Sequence, residues 1–374
     1  MSGEFDTLMM ARALQLARRG RYSAMPNPHV GCVLVREGAV VGEGFTQPAG
    51  GDHAEIQALR QAGDQARGAT AYVTLEPCSH HGKTGPCALA LIEAGVSRVV
   101  AAIEDPNPLV AGNGFARLRE SGVIVDSGLL ADEARAVIPG FIARMTRGRG
   151  RVRIKLAMSL DGRTAMASGD SQWITGPAAR ADVQRLRAMS CAVVTGVGTV
   201  LADDCSLSVR AAETGLPEAQ AQLASVRQPL RVVLDSNLRT PPAAKVLDAT
   251  APSLLCHAID APVPAAIAAA GVELLPLARD QKGLDLAALL QHLNQRQSNE
   301  ILVECGPHLA GAFLSAGLVD ELIVYMAPVL MGSDAQPLLH LPLQKMAEKV
   351  PLKIADMRRV GEDWRITAVP SLRA

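Results

Sequence analysis

The chain has 374 residues, 48% of them hydrophobic, 20% charged and only 3% aromatic, a length that predicts about two to three domains. Lys+Arg and Asp+Glu both number 37, and without a basic excess a nucleic-acid substrate is disfavoured. Seven cysteines, an odd number in a long chain, argue against a disulfide framework and for a reducing compartment, so the cytoplasm is the expected location. Residues 1–20 read as an amphipathic helix carrying Arg12, Arg18 and Arg19, without the apolar core and small-residue cleavage site of a signal peptide. No apolar run approaches the ~20 residues needed to span a bilayer.

Along the first 145 residues, strand patterns at Val30–Val35, Ala71–Leu75, Arg98–Ile103 and Val123–Val125 alternate with helical patterns at Leu8–Arg18, Ala54–Gln61, Pro86–Ala94, Gly114–Ser121 and Asp132–Arg144. Such alternation predicts a layered α/β domain. Arg147-Gly-Arg-Gly-Arg151 then reads as an exposed basic linker, placing domains at 1–147 and 148–374. Beyond it, strands are expected at Arg153–Met158, Ala192–Thr195, Arg231–Asp235, Ile301–Glu304 and Glu321–Tyr325, with helices at Ala178–Ala188, Leu284–Gln295 and Leu309–Ala316. Residues 211–226 suit a surface loop or short helix. Pro351–Asp356 and Trp364–Val369 have no helical pattern between them and suggest a closing antiparallel hairpin.

The first chemical constellation is His53-Ala-Glu55 with Cys78 and Cys87. Asp52 is placed to cap the helix that begins here. Pro77-Cys78 ends a strand, and Pro86-Cys87 opens a helix, where the dipole favours thiolate. One histidine and two cysteines leave a fourth position open, which is the pattern of catalytic zinc. Zinc lowers the pKa of bound water toward ~7. Glu55, which is not a ligand, can carry that proton to a ring nitrogen and to departing ammonia, as in zinc base deaminases. Each half alone is a weak motif; both halves in order are specific. His80 and His81 share the Cys–Cys loop and are alternative ligands by position, although solvated loop histidines need no metal.

The motifs Met25-Pro-Asn-Pro-His-Val-Gly31, His53-Ala-Glu55, Glu76-Pro-Cys-Ser-His-His-Gly-Lys-Thr-Gly-Pro-Cys87 and Asp105-Pro-Asn-Pro108 resemble the bifunctional deaminase–reductases of riboflavin biosynthesis. The eight-residue spacing between the cysteines distinguishes this family from cytidine and tRNA deaminases. The resemblance spans nearly the whole chain. It implies a cytidine deaminase-like α/β/α sandwich followed by a dihydrofolate reductase-like α/β domain, with one zinc in the first and NADPH in the second. It further implies hydrolytic deamination of a diamino-pyrimidinone carrying ribose 5-phosphate, with Asn27, Lys83 and Asn107 contacting substrate. Thr46 stands where many members carry a histidine, which puts a phosphate contact at that corner in question.

In the second domain, Ile154-Lys-Leu-Ala-Met-Ser-Leu-Asp-Gly-Arg-Thr-Ala165, Gly169-Asp-Ser-Gln-Trp-Ile-Thr-Gly176, Thr195-Gly-Val-Gly-Thr-Val-Leu-Ala-Asp-Asp204 and Val303-Glu-Cys-Gly-Pro-His-Leu-Ala-Gly-Ala312 resemble the family's reductase. The last reads, from its residues, as a strand and Gly-Pro turn feeding a helix N-terminus that suits a dinucleotide phosphate. The resemblance implies reduction of the ribosyl side chain to a ribityl chain. It places Ala157, Trp173, Thr199, Asp203, Ser236 and Gly306, Pro307, His308, Leu309, Ala310, Gly311 and Ala312 at NADPH. It places Ser171, Arg187, Leu207, Arg210 and Glu304 at substrate, the two arginines suiting phosphate. Taken alone, Trp173 reads as core. Cys205 replaces the proline usual after the Asp-Asp pair, which predicts a slightly more mobile loop. Relatives also imply a homo-oligomer, dimer or tetramer, joined through the reductase domain. Two rivals stay open: a nucleobase deaminase whose second domain binds no NADPH, and a nucleic-acid-binding zinc module, which the neutral charge and few aromatics oppose.

Overall fold

The structure is a computed structural model that describes residues 3–79, 85–108, 110–281 and 283–371. The chain divides into two compact units, Met1–Gly148 and Arg149–Ala374.

In the first unit β1 (Gly31–Arg36), β2 (Ala39–Phe45), β3 (Thr70–Val73), β4 (Arg98–Ala101) and β5 (Ile124–Ser127) form one sheet in the order β2-β1-β3-β4-β5. β1 is antiparallel to β2 and β3, whereas β3, β4 and β5 are parallel. The helices are α1 (Gly3–Ala17), α2 (Ala54–Ala62), α3 (Cys87–Glu93), α4 (Asn113–Glu120), α5 (Ala131–Val137) and α6 (Pro139–Arg147). One helix was expected over Asp132–Arg144, but Pro139 cannot donate to the helix ladder, and the chain breaks before it.

Strand β2 was not anticipated, because Gly42 and Gly44 weaken its pattern. They are there for packing. A Cβ on Gly42 or Gly44 would lie 2.2 or 2.1 Å from the carbonyl oxygens of Ala58 or Ala54 in α2. On β1 a Cβ at Gly31 would lie 1.9 Å from the Ala13 oxygen of α1. Gly31 and Cys32 point to opposite faces, and Cys32 pairs with Gly44. The two helices therefore cover opposite faces of the sheet, and α2 is drawn close against it.

In the second unit β6 (Arg151–Ser159), β7 (Ala192–Gly196), β8 (Leu230–Leu234), β9 (Ser253–Ala258), β10 (Glu273–Leu277), β11 (Glu300–Glu304), β12 (Glu321–Ala327), β13 (Leu352–Val360) and β14 (Asp363–Pro370) form a nine-stranded sheet. Its order is β10-β9-β8-β7-β11-β6-β12-β14-β13. The first seven in that order are parallel, and β14 and β13 close it as the expected antiparallel hairpin. The helices are α7 (Pro177–Ala188), α8 (Val197–Asp203), α9 (Glu218–Val226), α10 (Ala265–Ala269), α11 (Leu286–Gln295) and α12 (Pro307–Ser315). Ile301 and Val303 enter one apolar cluster and Leu302 another, as in a parallel strand buried on both faces. The Glu321–Tyr325 run is buried in the core of this sheet.

The segment read as an exposed linker joins the two units, but only Arg147 and Gly148 of it are exposed. Arg147 ends α6 and Arg151 begins β6. Arg149 forks onto Asp320 at 2.5 and 3.0 Å, and Arg151 reaches Glu321 at 2.8 Å. These basic residues are consumed by acidic partners about 170 positions away.

Candidate active sites

The motifs of the first unit converge because of strand direction. Phe45, the end of β2, pairs with Gly31, the start of β1, and just past β3 the Thr74 amide donates to the Gly31 carbonyl while the Gly31 amide donates to the Thr74 hydroxyl. The amide of Glu76 donates to the carbonyl of Ile103 past β4. The segments bearing Asn27, His53, Cys78 and Asn107 thus leave the sheet at one edge.

His53 occupies the cap position of α2 with extended backbone, φ −73° and ψ 163°. Asp52 does not cap the helix; it pairs instead with Arg60 at 2.5 Å. His53 Nδ1 lies 3.7 Å from Cys78 Sγ and 3.3 Å from Cys87 Sγ, and the three donor atoms fall within 4.8 Å of one another. A tetrahedral zinc at about 2.3 Å from sulfur and 2.0 Å from nitrogen needs donor separations of roughly 3.5–3.8 Å, so the donor set fits the ion. Cys87 is the first residue of α3, and its amide donates to Cys78 Sγ at 3.3 Å. The hydrogen bond from the Cys87 thiol, aided by His53, holds Cys78 well below the usual thiol range, while the Cys78 thiolate and burial hold Cys87 above it. Glu55, in the first turn of α2, is 3% exposed. Burial, then the Cys78 thiolate, pushes its carboxyl up to about 7.

Asn27 lies in the turn before β1, where its amide donates to Ala24. Asn107 lies in the turn after β4, where its amide donates to the Asp105 carboxylate at 2.9 Å. Lys83, His80 and His81 fall outside the described residues. Thr46 is a structural residue: it is buried, and its hydroxyl accepts the Val30 amide at 3.0 Å.

In the second unit, the C-terminal ends of parallel strands gather the reductase motifs, the edge at which open α/β sheets bind ligands. Ala157 is on β6, Thr199 and Asp203 are on α8 just past β7, and Ser236 follows β8. Ser171 donates to Asp203 at 3.4 Å. Gly306 caps α12 with no side-chain partner for its first turn, leaving that turn suited to a phosphate. Only part of the 306–312 segment faces outward. Ala310 is in the apolar core, and a Cβ on Gly311 would meet the His340 oxygen at 2.1 Å. Gly306, His308 and Leu309 are half-buried or exposed, and His308 stacks on His340 with centroids 4.5 Å apart. Trp173 is not core; it is 71% exposed, with the Arg180 guanidinium 4.8 Å from its ring.

The arginines expected at phosphate each meet a carboxylate in the structure. Arg187 donates to Glu304 at 2.6 and 3.0 Å and to the Ser208 carbonyl at 3.3 Å. Arg210 holds Glu213 at 2.5 and 2.7 Å. Leu207 is buried with φ 54°. Cys205 follows Asp204, whose carboxylate accepts the Lys245 amide at 3.0 Å and anchors that loop. Lys155 was missed as a candidate. It is the cross-strand partner of Glu304, and burial, against the pull of Glu304, lowers its pKa. Nothing in the sequence marked it, because the same strand also carries Arg151 and Arg153.

Residues 4–103 match the family model for the cytidine and deoxycytidylate deaminase zinc-binding region, and residues 151–366 match that for the RibD C-terminal domain. The riboflavin biosynthesis protein RibD of Escherichia coli K12 is 51% identical over 360 residues, covering 96% of this chain and 97% of the relative. That of Haemophilus influenzae is 47% identical over 369 residues, 98% and 97% of the two chains. A solved structure of Acinetobacter baumannii RibD aligns at TM-score 0.90 with 45% identity over 99% of both chains. A Thermotoga maritima diaminohydroxyphosphoribosylaminopyrimidine deaminase/5-amino-6-(5-phosphoribosylamino)uracil reductase aligns at TM-score 0.84 with 32% identity, covering 98% and 99%.

Proposed function

The chain belongs to the RibD family of riboflavin-biosynthesis proteins, and from that premise we propose how its residues divide two consecutive reactions. It is a bifunctional enzyme, a zinc-dependent deaminase followed by an NADPH-dependent reductase. The substrate is 2,5-diamino-6-(5-phosphoribosylamino)pyrimidin-4(3H)-one, and the final product is 5-amino-6-(5-phosphoribitylamino)uracil. The observation that carries the deaminase assignment is the His53–Cys78–Cys87 donor set beside a buried Glu55 whose carboxyl titrates near neutrality.

His53, Cys78 and Cys87 hold the zinc, one per chain. The ion supplies water acidified toward a pKa of about 7. Glu55 takes a proton from the attacking water and returns protons to the ring nitrogen and the leaving ammonia. Asn27 and Asn107 orient the pyrimidine and ribose, and Lys83 meets the phosphate.

In the reductase, Ala157, Trp173, Thr199, Asp203, Ser236 and the first turn of α12 hold NADPH, which supplies a hydride to the sugar C1′. Ser171, Leu207, Arg210 and Glu304 line the substrate side. Glu304 is kept ionised by Arg187 and stands beside Lys155, so this pair handles the accompanying proton. The domains correspond to 1–147 and 148–374, and the enzyme works in the cytoplasm. It self-associates as a dimer or tetramer through the reductase unit, where Leu352, Ile354 and Met357 are exposed on the outer strand β13.

The test is a coupled assay with zinc, NADPH and the diamino-pyrimidinone phosphate, following ammonia and NADPH together. Glu55→Ala should abolish ammonia release yet oxidise NADPH normally when given the deaminated intermediate. Loss of both activities would refute two independent sites.

A further inference from the structure

Glu76 lies two residues before Cys78, and neither reaction uses it. Its side chain is buried, 3% exposed, and among the described residues it is met by four backbone amides. Its Oε2 accepts the amides of Asp105 at 3.1 Å and Gly112 at 3.0 Å, and its Oε1 accepts those of Gly114 at 2.8 Å and Phe115 at 3.1 Å. Gly114 and Phe115 are in the first turn of α4, whose own cap residue, Gly112, has no side chain to offer. Glu76 therefore caps α4 from a different segment of the chain, as a side-chain oxygen at the cap normally would, and with charge-assisted bonds.

Two further contacts tie the same segments. A Cβ on Gly114 would lie 2.0 Å from the carbonyl oxygen of Pro77, so α4 begins in direct backbone contact with the residue before Cys78. Arg117 of α4 donates to the Ser79 carbonyl at 3.4 Å. Residues 76–79 are thus fastened to Asp105 and to residues 112–117 on both sides of Cys78.

We propose that Glu76 is a positioning residue of the deaminase, locking the Cys78 loop to the Asn107 turn so that zinc retention and substrate binding depend on one carboxylate. The substrate half rests on the reading of Asn107 given above; the zinc half does not. A simple helix cap would need only one or two of these bonds. What marks Glu76 is that its four amide donors come from both the turn and the helix, and that its chain neighbours carry the metal.

The test uses the full, zinc-loaded chain. Glu76→Gln keeps the volume but leaves two amides facing an NH₂ group. Gly114→Ala keeps the carboxylate but forces α4 off Pro77. Zinc loss to a chelating dye, deaminase kcat and KM, and reductase turnover on the deaminated intermediate are measured for each. Both variants should lose zinc roughly ten- to a hundredfold faster, the usual effect of removing a group that orients a metal ligand. Both should raise the deaminase KM by about tenfold or more while the reductase turns over normally. Lower thermal stability with zinc loss and KM unchanged would show an ordinary cap and overturn the proposal. Should either variant fail to fold, the wild type still decides. Stripping zinc should speed hydrogen exchange at the Gly114 and Phe115 amides by about tenfold or more, and unchanged exchange would overturn the coupling. If the wild type releases no ammonia, the functional reading fails, while the zinc and exchange measurements still judge Glu76.

Discussion

Arg187 distinguishes two accounts of the reductase site. As a phosphate ligand it should matter for substrate binding; as the partner of Glu304 it should matter for the fold. Its side chain is 12% exposed and that of Glu304 10%. Two charge-assisted bonds join them, at 2.6 and 3.0 Å, and such bonds are worth about 1.5–3 kcal/mol each. Burial pushes the Glu304 carboxyl up, but the charge and hydrogen bonds of Arg187 outweigh it and hold the group below its ordinary range. Arg187→Gln leaves that carboxylate without its fork, and breaking a buried pair from one side costs about 3–5 kcal/mol. Lys155, directly across from Glu304, recovers part of this, so the lower figure is expected. Urea unfolding followed by tryptophan emission isolates the effect, because both tryptophans, Trp173 and Trp364, lie in the second unit. With a slope of about 3 kcal/mol per M, the midpoint should fall by about 1 M. An unchanged midpoint with a raised KM for the reductase substrate would refute the argument, showing that the guanidinium serves phosphate instead.

Asp6 gives a pH prediction for the first unit. The hydrogen bond from Arg98, against the cost of burial and with help from Tyr72, lowers its pKa below 3.8. A lowered carboxyl stabilises the fold fully above its unfolded value and loses that contribution as pH falls through the folded one. Acid titration of the first unit, followed by its hydrogen exchange, should therefore be shallower below about pH 4 for Asp6→Asn than for the wild type; equal slopes would contradict the assignment. Thr46→Val removes the acceptor for the Val30 amide at 3.0 Å, at a cost of about 1–3 kcal/mol. Calorimetry should register it while the deaminase KM stays at its wild-type value, and a raised KM with normal stability would restore Thr46 to the phosphate corner.

The zinc constellation was legible because chemistry fixes its residue types and order: one His, two Cys and a Glu that is not a ligand leave few alternatives. Strand β2 was not legible, since Gly42 and Gly44 read as loop until the backbone of α2 is seen against them. The break at Pro139 was visible in the sequence, but the amphipathic pattern on both sides masked it. The pairing of Arg149 and Arg151 was hidden because their acidic partners lie about 170 residues on. The pairing of Arg187 with Glu304, 117 positions away, was hidden for the same reason. Glu76 and Lys155 carry no signal of their own type. One is recognised by the four amides around it, the other by the carboxylate across the strand.

Three buried glutamates show how surroundings, rather than residue type, assign roles in this enzyme. Glu55 is buried beside a thiolate, and its carboxyl titrates at about 7, which lets it both accept and return protons at neutral pH. Glu76 is buried among amides and spends both oxygens on backbone, so its charge is used to hold geometry. Glu304 is buried against Arg187, which holds its carboxyl below the ordinary range, and across the strand from it burial lowers the pKa of Lys155. Burial thus raises the Glu55 carboxyl and lowers the Lys155 ammonium from their ordinary values. In each case desolvation provides the shift, and the neighbouring charge sets how far it goes. Hydrolysis of an amine needs a group that alternates between both protonation states within one turnover, which Glu55 can do.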